Sequence, residues 1–348
     1  MLRDENMEKT RGPHFIYSLP LIYGPASSRR LGLSLGINPS PLTCSFSCVY
    51  CECGEKAFYA PAPEKVALDI GWDVILKPLS NALNTYRKLD AITFSGTGEP
   101  TLNSQLPVMI KNVKDIAGAP VVIFTNASLI YRDDVKETLS LADKVVAKLN
   151  ASTQEIFLNI NRPVNKGLSI NEIIEGLTEF RRNFSSGLSI EVLLVDLAGA
   201  KGNSDEKEIC GIAEALRQIE PESVQIHTIA RFPFENFVYP VSKEKLEEAR
   251  MIFEGILGAG RIHVYYSGGL KYSIFRSTLL NLLMEKNPED YERILTGSCR
   301  CPFTDRQLNP MNFCYCSICG SIFHMRAATI RMLEDRYVLL CPRCMKEG

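Results

Sequence analysis

The sequence lacks several features that would place it in common classes of protein. It has no run of ~18 apolar residues, so no segment is expected to cross a membrane as a helix. Residues 1–11 are polar and charged, without the apolar core of a secretory signal. With 39 basic residues against 40 acidic ones, the chain has no overall charge that would attract nucleic acid. We therefore expect a cytoplasmic protein with no membrane partner.

Histidine is also scarce, with four in 348 residues, whereas cysteine is abundant, with twelve. A chain of this length buries enough surface to fold without disulfides, and cytoplasmic thiols stay reduced. We expect no disulfides. Four cysteines fall between Cys44 and Cys53, seven fall between Cys299 and Cys344, and Cys210 stands alone. Clustered cysteines in a reducing compartment indicate metal binding or catalysis, so we predict a metal centre near each end of the chain.

Between these clusters, short β-branched runs alternate with longer helical patterns. This alternation predicts an α/β fold with a parallel sheet, because each crossover must return over the sheet. About six strand–helix units are present, which favours an open six-unit barrel, with ligands at the carboxyl ends of the strands. The predicted strands are Leu33–Asn38, Ala91–Phe94, Val121–Thr125, Lys144–Leu149, Ser189–Val195 and Ser223–Thr228. The predicted domains are an extension at 1–22, the barrel at 23–262, a helical linker at 263–298 and a cysteine-rich module at 299–348.

The first cysteine cluster follows the first predicted strand of the barrel. Cys44, Cys48 and Cys51 have the spacing C-x3-C-x2-C. Three thiolates in this pattern suit three irons of a [4Fe–4S] cluster and leave the fourth iron open to a small molecule. A zinc site with Cys53 as fourth ligand is the alternative, although structural zinc sites usually combine paired short spacings.

This spacing resembles that of the radical S-adenosylmethionine (SAM) superfamily. Tyr50 occupies the aromatic position before the third cysteine, where the resemblance implies a ring near the adenine of SAM. The segment Ser95–Pro100 looks like the family's Gly-Gly-Glu-Pro motif, in which Gly96, Gly98, Glu99 and Pro100 line the methionine end of SAM. Glycines permit close approach of the backbone, and a carboxylate suits an ammonium group. The resemblance implies a partial (βα)6 radical SAM barrel, which agrees with the strand count.

Further segments are similar to the wyosine-synthase-like Fe–S oxidoreductase branch of this superfamily. They are Gly24–Gly36, Phe124–Leu129, Asn150–Ser152 and Asn161–Pro163. By this analogy, Ser95, Asn126 and Asn150 face SAM or substrate from the ends of strands. The predicted substrate contacts are Arg29, Arg30, Arg162 and His227, each of which is also compatible with a structural role.

The resemblance also implies a reaction. Reductive cleavage of SAM by the cluster yields methionine and a 5′-deoxyadenosyl radical, which abstracts hydrogen from a substrate. A reductant such as flavodoxin or ferredoxin would supply the electron. The substrate is a tRNA base in the nearest analogy, a protein or peptide as in glycyl-radical activases, or a small metabolite. A non-catalytic Fe–S or zinc interaction protein is the remaining alternative.

The second cysteine cluster contains two C-x2-C pairs, Cys316 with Cys319 and Cys341 with Cys344. Paired short spacings favour tetrahedral zinc in a small β-rich module, with an iron–sulfur cluster as the alternative. Cys299, Cys301 and Cys314 remain outside these pairs. Their spacing loosely resembles the three-cysteine auxiliary [4Fe–4S] site of the molybdopterin-pathway GTP cyclase, and a second zinc or uncoordinated thiols are equally open.

Overall fold

The computed structural model describes residues 20–66, 69–183, 187–333 and 336–347. Within these residues the chain divides into a compact unit of Pro20–Ser277 and a second unit that starts at Thr278. The predicted amino-terminal extension, 1–22, lies almost wholly outside the described residues. No helix in the described ranges is both long and apolar enough to pass through a bilayer.

The first unit is built on one curled sheet. The strands of this unit are β1 (Ile22–Ser28), β2 (Gly32–Ile37), β3 (Thr43–Cys44), β4 (Phe58–Tyr59), β5 (Ala91–Phe94), β6 (Val121–Thr125), β7 (Lys144–Lys148), β8 (Leu188–Leu197), β9 (Ser223–Thr228), β10 (Val238–Pro240) and β11 (Ile262–Tyr265). The parallel strands of the sheet lie in the order β2, β5, β6, β7, β8, β9 and β11, while β1 and β10 pair antiparallel with β2 and β8.

Helices connect the parallel strands, as the sequence predicts. Five of them begin at a side-chain cap, where an oxygen accepts a hydrogen bond from a backbone N–H of the first turn; the caps are Thr153, Ser169, Asp205, Ser242 and Ser273. The helices are α1 (Trp72–Thr85), α2 (Leu106–Ile116), α3 (Asp133–Ser140), α4 (Gln154–Ile160), α5 (Ile170–Asn183), α6 (Glu206–Ile219), α7 (Lys243–Leu257) and α8 (Ile274–Lys286). The α/β barrel prediction is confirmed.

The inner face of the sheet is apolar at one level and charged at another. Ala91, Val122 and Val146 are buried together, with Phe124 packed against them. Farther along the strands, the pairing of β7 with β8 sets Lys148 beside Glu191. The pairing of β8 with β9 sets the same Glu191 beside Gln225. The register therefore assembles a row of polar side chains across three strands.

The second unit contains two hairpins. In the first hairpin, Phe313 pairs with His324, and in the second, Thr329 pairs with Leu340. The elements of this unit are α9 (Pro288–Leu295), β12 (Phe313–Tyr315), β13 (Ile322–His324), β14 (Thr329–Leu333), β15 (Arg336–Leu340) and α10 (Pro342–Glu347). One C-x2-C pair follows β12 and the other follows β15, so each hairpin contributes one pair.

Candidate active site

The first three cysteines lie on a loop whose backbone is tied to the segment after α4. The Ser47 amide donates to the carbonyl oxygen of Arg162 at 3.1 Å, and the Val49 amide donates to that of Ile160 at 3.0 Å. Phe46 forms an isolated antiparallel bridge with Pro163. These main-chain contacts involve no metal, so the fold itself determines the path of the loop.

Each of the three thiols receives one N–H donor from a side chain. The donors come from the loop after β6, from the end of α4 and from the cysteine loop itself. The pairs, with their N···S distances, are Asn126 with Cys44 (3.6 Å), Asn161 with Cys48 (3.8 Å) and Lys56 with Cys51 (2.9 Å). Donors around metal-ligating atoms orient those ligands and tune the metal they hold.

The protonation of the three thiols differs with their surroundings. Burial raises the pKa of Cys44 to about 12 and that of Cys48 to about 11. The pKa of Cys51 is held well below its usual value, chiefly by a hydrogen bond with Cys53 and then by Lys56. Because metals bind thiolates, a metal held by these cysteines would have to displace protons from Cys44 and Cys48.

The Gly96–Pro100 loop packs directly on the chain that enters the cysteine loop. A β carbon at Gly98 would lie 1.8 Å from the Ser40 carbonyl oxygen and 2.2 Å from that of Thr43. Gly96 has a φ of +131°, and its β carbon would lie 2.5 Å from Asn38 Oδ1. The glycines therefore serve a close approach within the protein, and their predicted contacts with SAM stay a prediction.

The carboxylate of Glu99 is fully engaged within the chain. It accepts hydrogen bonds from Thr101 N (3.2 Å) and Oγ1 (2.8 Å), Thr125 Oγ1 (2.7 Å) and Asn126 N (2.7 Å). Burial raises the pKa of Glu99 despite these bonds, which lower it. Glu99 thus joins the loop after β5 to the end of β6. Pro100 follows it and begins a short 3-10 turn, Pro100–Leu102.

Tyr50 is held by two amides. Its hydroxyl accepts hydrogen bonds from Nδ2 of Asn150 at 2.6 Å and Nδ2 of Asn161 at 2.9 Å. Asn150 in turn accepts a hydrogen bond from the Leu193 amide at 2.8 Å. Tyr50 and Asn150, which the sequence singles out separately, are therefore direct partners.

A charged group occupies the inside of the barrel. Glu191, with a side chain 2% exposed, lies 2.7 Å from Lys148 Nζ and 3.4 Å from His227 Nε2, and it forms an ion pair with Arg30. Arg30 also donates to Gln225 Oε1 at 3.1 Å. Burial alone would raise the pKa of Glu191, but Lys148, His227 and Arg30 hold that pKa well below its usual value. Glu191 is thus a buried, ionised carboxylate between two cations.

The other predicted residues of this site lie in different surroundings. Arg29 donates to the Tyr266 carbonyl oxygen at 2.6 Å. Arg162 pairs with Glu235. The hydroxyl of Ser95 contacts that of Tyr23. Their predicted contacts with SAM or substrate stay predictions.

Sequence reasoning missed Lys56, Asn161, Lys148 and Glu191. Glu191 carries a readable signal, because it is a charged residue between the apolar Ile190 and Val192 in the middle of a strand. Asn161 belongs to a segment that the family resemblance singles out, but only the fold brings Asn161, Lys56 and Lys148 to a cysteine or to Glu191.

The four cysteines of the two C-x2-C pairs come together in the second unit. Their sulfur atoms all lie within 4.8 Å of one another, which fits the ligand shell of a single tetrahedral ion. Burial would raise the pKa of Cys319, but hydrogen bonds from Ser321 and the neighbouring cysteines lower it to about 7. The first pair is joined to β15, since Ser317 N donates to the Leu339 carbonyl oxygen at 2.8 Å. This group is suited to metal binding.

The remaining cysteines of the tail, the cysteine-rich module at 299–348, form hydrogen bonds outside the four-cysteine group. Cys301 Sγ accepts a hydrogen bond from the His324 amide at 3.3 Å, and the Cys314 thiol donates to the Phe323 carbonyl oxygen at 3.6 Å. Within the described residues, neither of these nor Cys299 joins the four-cysteine group. An auxiliary cluster at Cys299, Cys301 and Cys314 stays a prediction.

The donor set of the first loop fits the group that the sequence predicts. Three soft sulfur ligands with N–H donors beside them are typical of iron–sulfur sites. Among the described residues, the sulfurs of Cys44, Cys48 and Cys51 do not form a group as close as the four sulfurs of the second unit. A [4Fe–4S] cluster does not require such close sulfurs, because it is larger than a single ion. The Cys53 thiol, besides its hydrogen bond with Cys51, lies 3.8 Å from the Gly96 carbonyl oxygen.

Known proteins resemble the chain in sequence. Residues 39–200 match the profile of the radical SAM superfamily. The chain is 32% identical over 255 residues to a UPF0026 protein of Methanocaldococcus jannaschii, covering 70% of this chain and 74% of that protein. It is 35% identical over 235 residues to a protein named GTPase Obg from Brachyspira hyodysenteriae, covering 67% of this chain but only 33% of that protein. The present sequence has no Gly-Lys dipeptide and hence no P-loop of the form GxxxxGK[ST].

The fold is also found among solved structures. A radical SAM methyltransferase from Sphaerobacter thermophilus superposes with a TM-score of 0.50 and 18% identity, covering 68% of this chain and 67% of that chain. At this identity the likeness concerns the fold alone, and the wyosine-like branch stays a prediction. The cysteine loop, the barrel and the UPF0026 relative lead to one conclusion: the chain belongs to the radical SAM superfamily, among its UPF0026 members, and is an enzyme whose cofactors are a [4Fe–4S] cluster and SAM.

Proposed function

We propose that this enzyme abstracts a hydrogen atom from a substrate that carries an anionic group, and that the substrate is a nucleotide of tRNA. The observation that carries the proposal is the charged group inside the barrel, in which Arg30 and Lys148 share the single carboxylate of Glu191. We also propose that the chain is organised as an extension at 1–22, the barrel at 23–262, a helical linker at 263–298 and a cysteine-rich module at 299–348.

When bound, the cluster and SAM supply a 5′-deoxyadenosyl radical able to remove hydrogen from an unactivated C–H bond. The protein's own residues provide the surroundings for that chemistry. Cys44, Cys48 and Cys51 are the proposed ligands, with the amides of Asn126 and Asn161 orienting the first two sulfurs.

The residues proposed to surround SAM are held by hydrogen bonds within the protein. Glu99 fixes the backbone of Asn126 at 2.7 Å, and Asn150 fixes the hydroxyl of Tyr50 at 2.6 Å. Ser95, Gly96, Gly98 and Pro100 complete the proposed SAM contacts. Because the protein's own contacts set these positions, binding of SAM would not have to order them.

The charge balance inside the barrel supports an anionic substrate. Glu191 is 2% exposed, whereas the side chains of Arg30 and Lys148 are 29% and 32% exposed. Two accessible cations against one buried carboxylate leave positive charge for a ligand. Arginine and lysine are the residues that most often bind phosphate, by bidentate and point-charge contacts respectively. The imidazole of His227 is the third proposed contact, from the end of β9.

The proposed source of the electron is a flavodoxin or a ferredoxin, since radical SAM enzymes require a reductant. Dithionite replaces it in the assay that follows. With dithionite as the source of electrons, the assay tests the substrate independently of the physiological electron donor.

The proposal is tested by reconstituting the protein without oxygen and supplying SAM and dithionite. We expect 5′-deoxyadenosine by mass spectrometry, its loss in Cys48→Ala, and its retention in Cys210→Ala, which removes the exposed cysteine of α6. Unfractionated tRNA should increase the yield, and RNase digestion should abolish the increase. Stimulation by peptides alone would overturn the tRNA assignment, and 5′-deoxyadenosine formation by Cys48→Ala would overturn the ligand assignment.

A further inference from the structure

Lys56 is a buried lysine beside the proposed cluster. It is 4% exposed, and its Nζ donates to Cys51 Sγ at 2.9 Å and to the Gly54 carbonyl oxygen at 3.2 Å. Among the described residues, no carboxylate forms an ion pair with it. Its nearest potential counter-charges are therefore the sulfur atoms of the cysteine loop.

A buried ammonium group without a partner is strongly unfavourable, because transfer out of water removes its solvation. The sulfurs offer charge compensation when they carry negative charge, as they would when they ligate iron. The residue at this position is nevertheless a lysine, and not a neutral amide donor such as the asparagines beside Cys44 and Cys48. A positive charge at this position thus has a use beyond packing.

The position of the ammonium group is set by the turn that follows the third cysteine. Gly54 has a φ of +72°, and its amide donates to the Cys51 carbonyl oxygen at 3.1 Å. The fully buried Arg276 donates from Nε to the Cys53 carbonyl oxygen at 2.9 Å. These two hydrogen bonds fix the turn, and the turn directs Lys56 back at the sulfur of Cys51.

We propose that Lys56 is the counter-ion of the iron–sulfur centre and favours its one-electron reduced form. The inference rests on the cluster proposed at Cys44, Cys48 and Cys51. Reduction adds one electron and one negative charge, with no bond formed or broken and no proton moved. The electron comes from a low-potential one-electron donor. A fixed positive charge against one ligand sulfur stabilises the added charge. Lys56 is therefore a positioning residue: it acts through the reduction potential of the cluster and not on the substrate.

The test is a potentiometric titration of the full-length reconstituted protein, followed by electron paramagnetic resonance. The signal that Cys48→Ala removes belongs to the first loop, which separates it from any cluster in the tail. We expect Lys56→Met and Lys56→Gln to lower the equilibrium constant for reduction at least tenfold, a shift of about 59 mV to more negative potential. Lys56→Arg should retain the wild-type potential, and Lys65→Met, at an exposed nearby lysine, should leave it unchanged.

The outcomes distinguish charge from packing. An unchanged potential in Lys56→Met or Lys56→Gln overturns the inference, even if their SAM cleavage is impaired. Loss of iron from both neutral variants, with normal iron and potential in Lys56→Arg, supports it, because charge is then needed to hold the cluster at all. Loss of iron from all three assigns the residue to packing and overturns it. Failure of the wild type to form a cluster that Cys48→Ala removes would instead overturn the proposed function.

Discussion

The carbonyl oxygen of Ser40 occupies the place that a β carbon on Gly98 would need, at a separation of 1.8 Å. Two segments far apart in sequence are pressed together here: the chain that enters the cysteine loop and the loop after β5. The contact is between main-chain atoms, so a side-chain rotation cannot relieve it.

Gly98→Ala is therefore expected to force the cysteine loop away from β5. We expect a loss of about 3 kcal/mol in the free energy of unfolding, the upper part of the range for overpacking. Iron bound after reconstitution should fall in parallel. Urea unfolding of the apoprotein and iron analysis measure the two effects. Gly118→Ala is the control, because nothing lies within 4 Å of its β carbon.

Glu191→Gln is expected to destabilise the barrel strongly. The substitution leaves Arg30 and Lys148 without their shared carboxylate, and breaking a buried pair by removing one partner costs about 3–5 kcal/mol. Denaturant unfolding of the apoprotein measures this. Glu214→Gln removes an exposed ion pair with Arg217 and should change stability by less than about 1 kcal/mol. Equal effects of the two substitutions would contradict the role of Glu191.

The depressed pKa of Glu191 also predicts a dependence of stability on pH. A carboxyl group whose pKa is lower in the folded than in the unfolded state stabilises the fold above its unfolded pKa. That contribution is lost as the pH falls below about 4.3 and through the folded value. The difference in unfolding free energy between wild type and Glu191→Gln should thus be largest near neutral pH and shrink on acidification. A difference that stays constant down to pH ~2 would contradict this prediction.

Cys341→Ser is expected to remove one metal ion per chain from the tail. Its sulfur lies 3.7 Å from that of Cys319 within the four-cysteine group. Since small metal-binding modules draw their stability from the metal, hydrogen exchange should accelerate in β12 and β15. Metal analysis by mass spectrometry decides between zinc and iron. Cys210→Ser should retain the full metal content, and normal metal in Cys341→Ser would show that this group is not the site.

The sequence predicts the barrel well because its strands are short β-branched runs separated by helices. Ala91–Phe94, Val121–Thr125 and Ser223–Thr228 have their predicted bounds. The antiparallel β1 escapes prediction because Gly24 and Pro25 interrupt it and no apolar alternation marks it. The strand β11 is also missed, as is α4, whose seven residues are too few for a helical period to emerge.

The residues of the candidate site are likewise predictable from the sequence only in part. The cysteine ligands are readable because they are close in sequence and of one chemical type. Asn161 and Lys148 are not, since they meet Cys48 and Glu191 only through the pairing of strands and the docking of the loop after α4. Glu99 is readable from its motif, but its hydrogen bonds to Thr125 and Asn126 follow from the position of β6 beside β5.

The main-chain bonds from Ser47 and Val49 to the segment after α4 bear on the order of assembly. Because main-chain bonds fix the path of this loop, we expect iron and sulfide to be taken up by a chain that has already folded. In the second unit the proposed ligands lie at the ends of two separate hairpins, so we expect metal capture there to accompany folding. The two cysteine clusters are thus expected to acquire their metals at different stages in the maturation of the enzyme.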